Sequence, residues 1–150
     1  MSIFNSFNAS ASGLTAQRLR MDVISSNVAN AQTTRATVNE NGEFEPYRRK
    51  TVSIAPQSSS FKSFLHKASH SSNVASGVKV TGIHEDNEPF KLVFDPTNPD
   101  ANEQGYVQLP NVDPLKEMVD LMSATRSYEA NITALNASKS MLMKALEIGK

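Results

Sequence analysis

The 150-residue chain has no cysteine and no tryptophan. Without thiols there is no disulfide framework, no thiolate nucleophile and no zinc–thiolate site. Net charge is missing too, because 15 Lys and Arg balance 15 Asp and Glu. That balance removes the general electrostatic case for nucleic acid or an anionic membrane as partner. It also removes the self-repulsion that keeps copies of a protein apart. Apolar residues make up 39% and aromatics 7% of the chain, a lean supply, so one chain alone has little core. Long hydrophobic runs are absent: nothing approaches the roughly 18 apolar residues of a membrane span. Met1-Ser2-Ile3-Phe4-Asn5-Ser6-Phe7-Asn8 puts no basic residue ahead of its apolar positions, unlike a secretory signal. Composition alone predicts a soluble, intracellular chain suited to association.

Proline is confined as well. All seven prolines lie between Pro46 and Pro114, which divides the chain into residues 1–35, 36–112 and 113–150. The last segment is the clearest. Asp113-Pro114 is a helix start: Asp accepts from free N–H groups of the first turn, and Pro has no N–H to waste there. No Pro or Gly follows until Gly149, so a helix over 114–148 is expected, about 52 Å long at 1.5 Å per residue. Alternating steps of three and four give Met118, Leu121, Thr125, Tyr128, Ile132, Leu135, Lys139, Leu142 and Leu146, of which seven of nine are apolar. A period near 3.5 with a narrow seam reads as a coiled-coil helix. Residues 3–30 repeat the pattern more weakly through Phe4, Phe7, Ala11, Leu14, Arg18, Met21, Ser25 and Val28, and polar Asn30–Thr34 ends it.

Between the helices the chain is β-like. Expected strands are Phe44–Tyr47, Thr51–Ile54, Val78–Ile83, Phe90–Phe94 and Tyr106–Leu109, the third alternating with period two. The Asn-, Asp- and Pro-rich stretch from Asp95 to Gly105 is turn chemistry, and Ser-rich 57–77 reads as a mobile loop. The expected fold is therefore mainly α with a small β-rich middle, the terminal helices pairing as an antiparallel coiled coil. One such pair gains little against the ordering of some 60 residues at roughly 1–2 kcal/mol each, so the arms are expected to fold fully only when neighbours bury them. On pattern alone, pairing within a chain and packing between chains stand equal.

Several blocks resemble a known family. Ser12-Gly13-Leu14-Thr15-Ala16-Gln17-Arg18-Leu19-Arg20-Met21-Asp22 and Ser26-Asn27-Val28-Ala29-Asn30-Ala31-Gln32-Thr33-Thr34-Arg35 are similar to the amino-terminal signature of bacterial flagellar rod and hook proteins. Two more blocks narrow this to the proximal-rod members: Asp95-Pro96 through Pro99-Asp100-Ala101-Asn102 and Gly105-Tyr106-Val107 to Pro110-Asn111-Val112, and Glu117-Met118-Val119-Asp120 through Tyr128-Glu129-Ala130-Asn131 to Ile148. The motif positions are Asn27, Asn30, Thr33, Gly105, Tyr106, Val107, Asn111, Glu117, Met118, Tyr128 and Asn131. The Gly-Tyr pair usual after Asn-x-x-Thr in hook-type members is replaced by Thr34-Arg35-Ala36, so no contact of that pair carries over.

The resemblance implies a non-enzymatic subunit of the basal-body rod in the cell envelope, exported by the flagellar type III apparatus without a cleavable signal. Implied partners are copies of itself, other rod proteins and the export-apparatus or MS-ring region, with no nucleic acid, membrane insertion or cofactor. The expected packing residues are Phe4, Phe7, Leu14, Met21 and Val28 on the first helix. On the second they are Leu121, Tyr128, Ile132, Leu135, Leu142 and Leu146. The alternative is a type III-secreted coiled-coil adaptor that never polymerises.

Other chemistry finds little footing. His66 and His70 have a helical ligand spacing, but no third ligand sits with them. Asn98-Pro99-Asp100-Ala101-Asn102 imitates a calcium loop, yet Glu103 stands where Gly is needed and Leu109 where Glu is needed. Glu85, Asp86 and Glu88 read as surface acids rather than a catalytic pair. Arg48-Arg49-Lys50, beside Glu43 and Glu45, reads as a solvated or intersubunit salt-bridge cluster rather than a phosphate site.

Overall fold

The computed structural model describes residues 3–39, 42–57 and 77–148, with no side-chain description for residues 3–5. Helix α1 covers Ile3–Ala29, strands β1 to β6 follow, and helix α2 covers Pro114–Ile148. The strands are β1 (Thr37–Val38), β2 (Phe44–Glu45), β3 (Lys50–Pro56), β4 (Val78–Glu85), β5 (Lys91–Phe94) and β6 (Tyr106–Leu109). They form three separate two-stranded sheets, β1–β2, β3–β4 and β5–β6. Two long terminal helices around a small β region make the chain mainly α, as the sequence pattern predicts.

Both helices begin and end for local reasons. Asp113 caps α2: its Oδ1 accepts from Leu115 N at 3.0 Å, and its carbonyl accepts from Glu117 N at 3.0 Å. At the end of α1 the Asn30 amide donates to the Ser26 carbonyl at 2.9 Å, competing for the helical backbone. Thr33 N then bonds Asn30 O, and the helix stops.

The chain falls into two compact units. One comprises Met1–Arg20, Ser53–Gly82 and Ser123–Lys150; the other comprises Met21–Val52 and Ile83–Met122. Each draws on all three segments of the sequence. In the first, Ala16 and Ala124 are fully buried and Ser138 nearly so. There the Ser12 hydroxyl accepts from Val78 N at 3.0 Å, tying α1 to β4. In the second, the core is Val23, Ile24, Tyr47, Val107 and Val112 with the polar Asn27, Asn111 and Glu117.

Within that second unit, β5 and β6 run antiparallel, with Val93 opposite Val107 and Phe94 opposite Tyr106. Their rings meet edge to face at 5.3 Å. Gly105 enters β6 at φ +79°, and a Cβ there would lie 2.9 Å from the Phe94 ring, so glycine is needed for both conformation and space. The strand β1, pairing Thr37 with Glu45 and Val38 with Phe44, is an addition to the expected set. The loop expected over 57–77 lies, for residues 58–76, outside the described residues, and His66 and His70 lie there with it.

The helical seam differs from the expected one by one residue in one of its two columns. Leu121, Tyr128, Leu135 and Leu142 are half-buried as expected. Of the other expected column, Thr125 is half-buried, whereas Met118, Ile132, Lys139 and Leu146 are exposed. The inward column is Glu117, Ala124, Asn131 and Ser138, of which Asn131 is half-buried and the others buried. Hydrophobicity misleads here because small and internally bonded polar residues occupy the inner positions, leaving large apolar ones outside.

Candidate assembly surface

The strongest polar cluster lies in the second unit and is built around the motif residues Asn27, Asn111 and Glu117. Asn27, 1% exposed, uses its whole amide. Its Nδ2 donates to Lys50 O at 2.8 Å and to Glu117 Oε2 at 2.9 Å. Its Oδ1 accepts from Lys50 N at 2.9 Å and from the Tyr47 hydroxyl at 3.0 Å. An asparagine bonded to both backbone groups of one residue acts like a short strand end grafted on a helix. Glu117, also 1% exposed, takes Arg49 Nε on its other oxygen at 2.6 Å. A buried carboxylate needs this pairing, since charge taken from water without a partner costs several kcal/mol.

Arg49 is the hub. Its guanidinium also lies 3.2 Å from Asp86 Oδ2 and 3.6 Å from Asp120 Oδ2. Burial opposes its charge, but the bonds to Glu117 and then Asp86 outweigh that, and its pKa is raised further. Asn111 completes the cluster: its Oδ1 accepts from Arg49 N at 2.7 Å, and its Nδ2 donates to the carbonyls of Asp86 and Glu88. The Asp86 carboxyl is held below the usual carboxylate range, first by the Glu88 backbone N–H and then by Arg49. The basic triplet is thus spent inside the fold. Arg49 is neutralised by acids of its own chain, Arg48 stacks on Phe90 at 4.4 Å, and Lys50 lies 5.7 Å over Tyr47.

A second, outer cluster fixes the turn of residues 95–105. Asp100 accepts from Thr34 Oγ1 and Arg35 Nε, each at 2.7 Å, and pairs with the Arg35 Nη2 as well. These bonds, Arg35 first, hold the Asp100 carboxyl low and the Arg35 guanidinium high. Asn98 and Asn102 bond the backbone of their own turn, as Asx turns do. Among the described residues no group of three or more His, Asp or Glu side chains is placed to hold a metal. No described helix is long and apolar enough to cross a membrane.

Large apolar side chains are left exposed as well. On α2, Leu115 (76% exposed), Met118 (54%), Val119 and Met122 stand in solvent. Their i, i+3, i+4, i+7 spacing places them on one face, turned away from the buried Glu117. Farther along, Met141, Met143, Leu146 and Ile148 are also exposed. The β5–β6 hairpin adds Leu92, Phe94 and Tyr106. A helix apolar on two sides has one side to give to something else.

The expected packing residues distribute between inside and outside. Phe7, Leu14, Met21, Leu121, Tyr128, Leu135 and Leu142 are half-buried; Val28, Ile132 and Leu146 are exposed; the Phe4 side chain lies outside the description. Of the motif positions, Asn27, Asn111 and Glu117 meet in the Arg49 cluster. Asn30 and Thr33 shape the end of α1, and the Thr33 carbonyl accepts from Tyr47 N at 3.0 Å. Gly105, Tyr106 and Val107 build the hairpin, with Val107 buried. Met118 is exposed, Tyr128 half-buried, and Asn131 bonds the Ser127 carbonyl at 2.8 Å. Tyr47 was not singled out from sequence, and nothing in the basic triplet Arg48-Arg49-Lys50 marks its middle member as the one paired with acids of its own chain.

Comparison with known proteins gives these features a setting. Residues 7–37 match the family model described as flagella basal body rod protein, and residues 103–148 match that of the flagellar basal body rod FlgEFG protein C-terminal region. The chain is 65% identical over 151 residues, the full length of both chains, to the flagellar basal-body rod protein FlgC of Bacillus subtilis. The chain belongs to the FlgC family. The FlgC of Borreliella burgdorferi is 44% identical, over 99% of this chain and 98% of its own. That of Salmonella typhimurium is 39% identical over the whole of both. Membership in the FlgC family makes the chain a structural subunit of the flagellar basal-body rod, as the resemblance of its motif blocks implies. The two matched regions contain every motif position named above.

Proposed function

We propose that this FlgC-family subunit polymerises helically through its terminal helices into the proximal rod, forming part of a torque-transmitting tube that lines the export channel. The observation that carries this reading is the face of Leu115, Met118, Val119 and Met122, exposed in the single chain. Burying such side chains is worth roughly 1.5–3 kcal/mol each, and a tube that packs every copy against several neighbours collects that gain many times over. The other exposed residues of α2, including Ile132 and Leu146, extend the packing.

Within each subunit the two helices run antiparallel. Each compact unit holds one contact between the helices. Gly13 meets Asn131, since a Cβ on it would lie 3.1 Å from the Asn131 Oδ1, and Asn27 bonds Glu117.

The subunit reaches the rod through the flagellar type III apparatus and contacts other rod proteins and the basal-body base there. The test is biochemical: the chain should copurify with intact hook–basal bodies, and Ile132→Asp should abolish rod incorporation and motility while secretion continues. A chain that is secreted but never found in basal bodies is an adaptor, and the reading is then wrong.

A further inference from the structure

Resting on the polymerisation proposed above, we infer that the exposed α2 face of one subunit seats in the groove between the β1–β2 and β5–β6 hairpins of the next copy. Helical growth needs two different patches on every subunit, because a patch that pairs with itself closes a dimer and stops. The ridge of Leu115, Met118, Val119 and Met122 is one patch. The groove is the counterpart within the same compact unit. It holds about 560 Å³, within the range of cavities that enclose a ligand.

Two features of the groove match that ridge. The first is aromatic. Phe44 and Tyr106, both exposed, line the groove, and exposed Phe94 extends the surface with its ring 5.3 Å from that of Tyr106. Methionine sulfur packs favourably on aromatic rings, and its unbranched chain adapts to an irregular floor, so Met118 and Met122 suit these rings. The second is charge. Of the four charged residues lining the groove, Arg35 and Asp100 neutralise each other, which leaves Glu43 and Glu45 to make it acidic. The matching cation is Lys116, exposed beside Leu115 and acting on Asp86 only at a distance. Arg48, Arg49, Lys50 and Lys91 are already committed to partners in their own chain. Like charges oppose groove on groove and ridge on ridge, so the head-to-tail order is the one favoured.

The chain has no cysteine, so a thiol cross-link between copies is free of background from the subunit itself. Cells express two full-length chains together, one with Val119→Cys and the other with Gln108→Cys. Cysteine is a small hydrophobe like the valine it replaces, and Gln108 is an uncharged lining residue of the groove. Hook–basal bodies isolated from these cells are treated with a short bis-maleimide. Cross-linked subunit dimers should form when both chains are present and be lost when either is expressed alone. Charge reversal gives a second reading. Glu43→Lys with Glu45→Lys should be secreted but lost from basal bodies, and adding Lys116→Glu should restore incorporation. Dimers from one cysteine chain alone, adducts to another rod protein, or no cross-linked product overturn the inference. So does ordinary incorporation of the reversed groove, or a triple variant that stays absent although its urea unfolding matches that of the unaltered chain. An unaltered chain missing from basal bodies overturns instead the polymerisation on which the docking rests.

Discussion

Asn27 and Glu117, ninety positions apart, share a hydrogen bond of 2.9 Å with both side chains almost wholly buried. Arg49 takes the other carboxylate oxygen at 2.6 Å. Three segments distant in sequence are thereby pinned at one carboxylate. Glu117→Ala leaves the buried Asn27 amide and the half-buried Arg49 guanidinium without their shared acceptor, and a cost of about 2–4 kcal/mol is expected. Glu117→Gln keeps an acceptor and should cost about 1–3 kcal/mol. Urea unfolding of the full-length chain at one fixed protein concentration measures both, and equal losses would mean that the acceptor kept by glutamine contributes nothing.

This cluster and the outer one at Asp100 set an acid limit. Asp86 and Asp100 both have folded-state pKa values below their ordinary ones. A depressed carboxyl contributes stability that is fully present above its unfolded pKa, near 3.9, and is lost as pH falls through the folded value. Stability should therefore be flat above about pH 5 and fall below about pH 4. Asp86→Asn should flatten that fall. An unchanged acid slope in this variant, followed by denaturant titration at several pH values, would remove Asp86 from the account.

Two glycines separate conformation from space. Gly42 and Gly105 both have positive φ, +82° and +79°. An added Cβ meets nothing at Gly42 but comes within 2.9 Å of the Phe94 ring at Gly105. Gly42→Ala should cost about 1 kcal/mol from backbone strain alone, and Gly105→Ala about 2–3 kcal/mol because Phe94 must also leave Tyr106. Thermal unfolding that ranks them equally would exclude the ring contact.

The legible parts of this fold are those where local rules act undisturbed. Asp113-Pro114 and the proline-free stretch behind it place α2 at its observed start and end, and Asn30 marks the close of α1. Tyr106–Leu109 is found as expected because turn residues bound it. The inward column of α2 was hidden, since Glu117, Asn131 and Ser138 look like surface in any hydropathy pattern. Only their partners reveal them: Asn27 and Arg49 for Glu117, and backbone carbonyls one turn earlier for Asn131 and Ser138. Tyr47 and the intrachain partners of Arg49 were invisible for the same reason, because a role set by long-range contact leaves no local trace. Strand β1 is two exposed residues long, too short for any alternation to register.

The central claim is that the outer face of α2 is covered by neighbouring subunits, and the direct measurement is rod incorporation of Met118→Glu combined with Met122→Glu. Both side chains are exposed in the single chain, so folding stability should stay within about 0.5 kcal/mol. The account predicts that the variant is secreted normally, is missing from isolated hook–basal bodies and leaves the cells non-motile. Basal bodies that carry the variant at ordinary stoichiometry, in swimming cells, would contradict it.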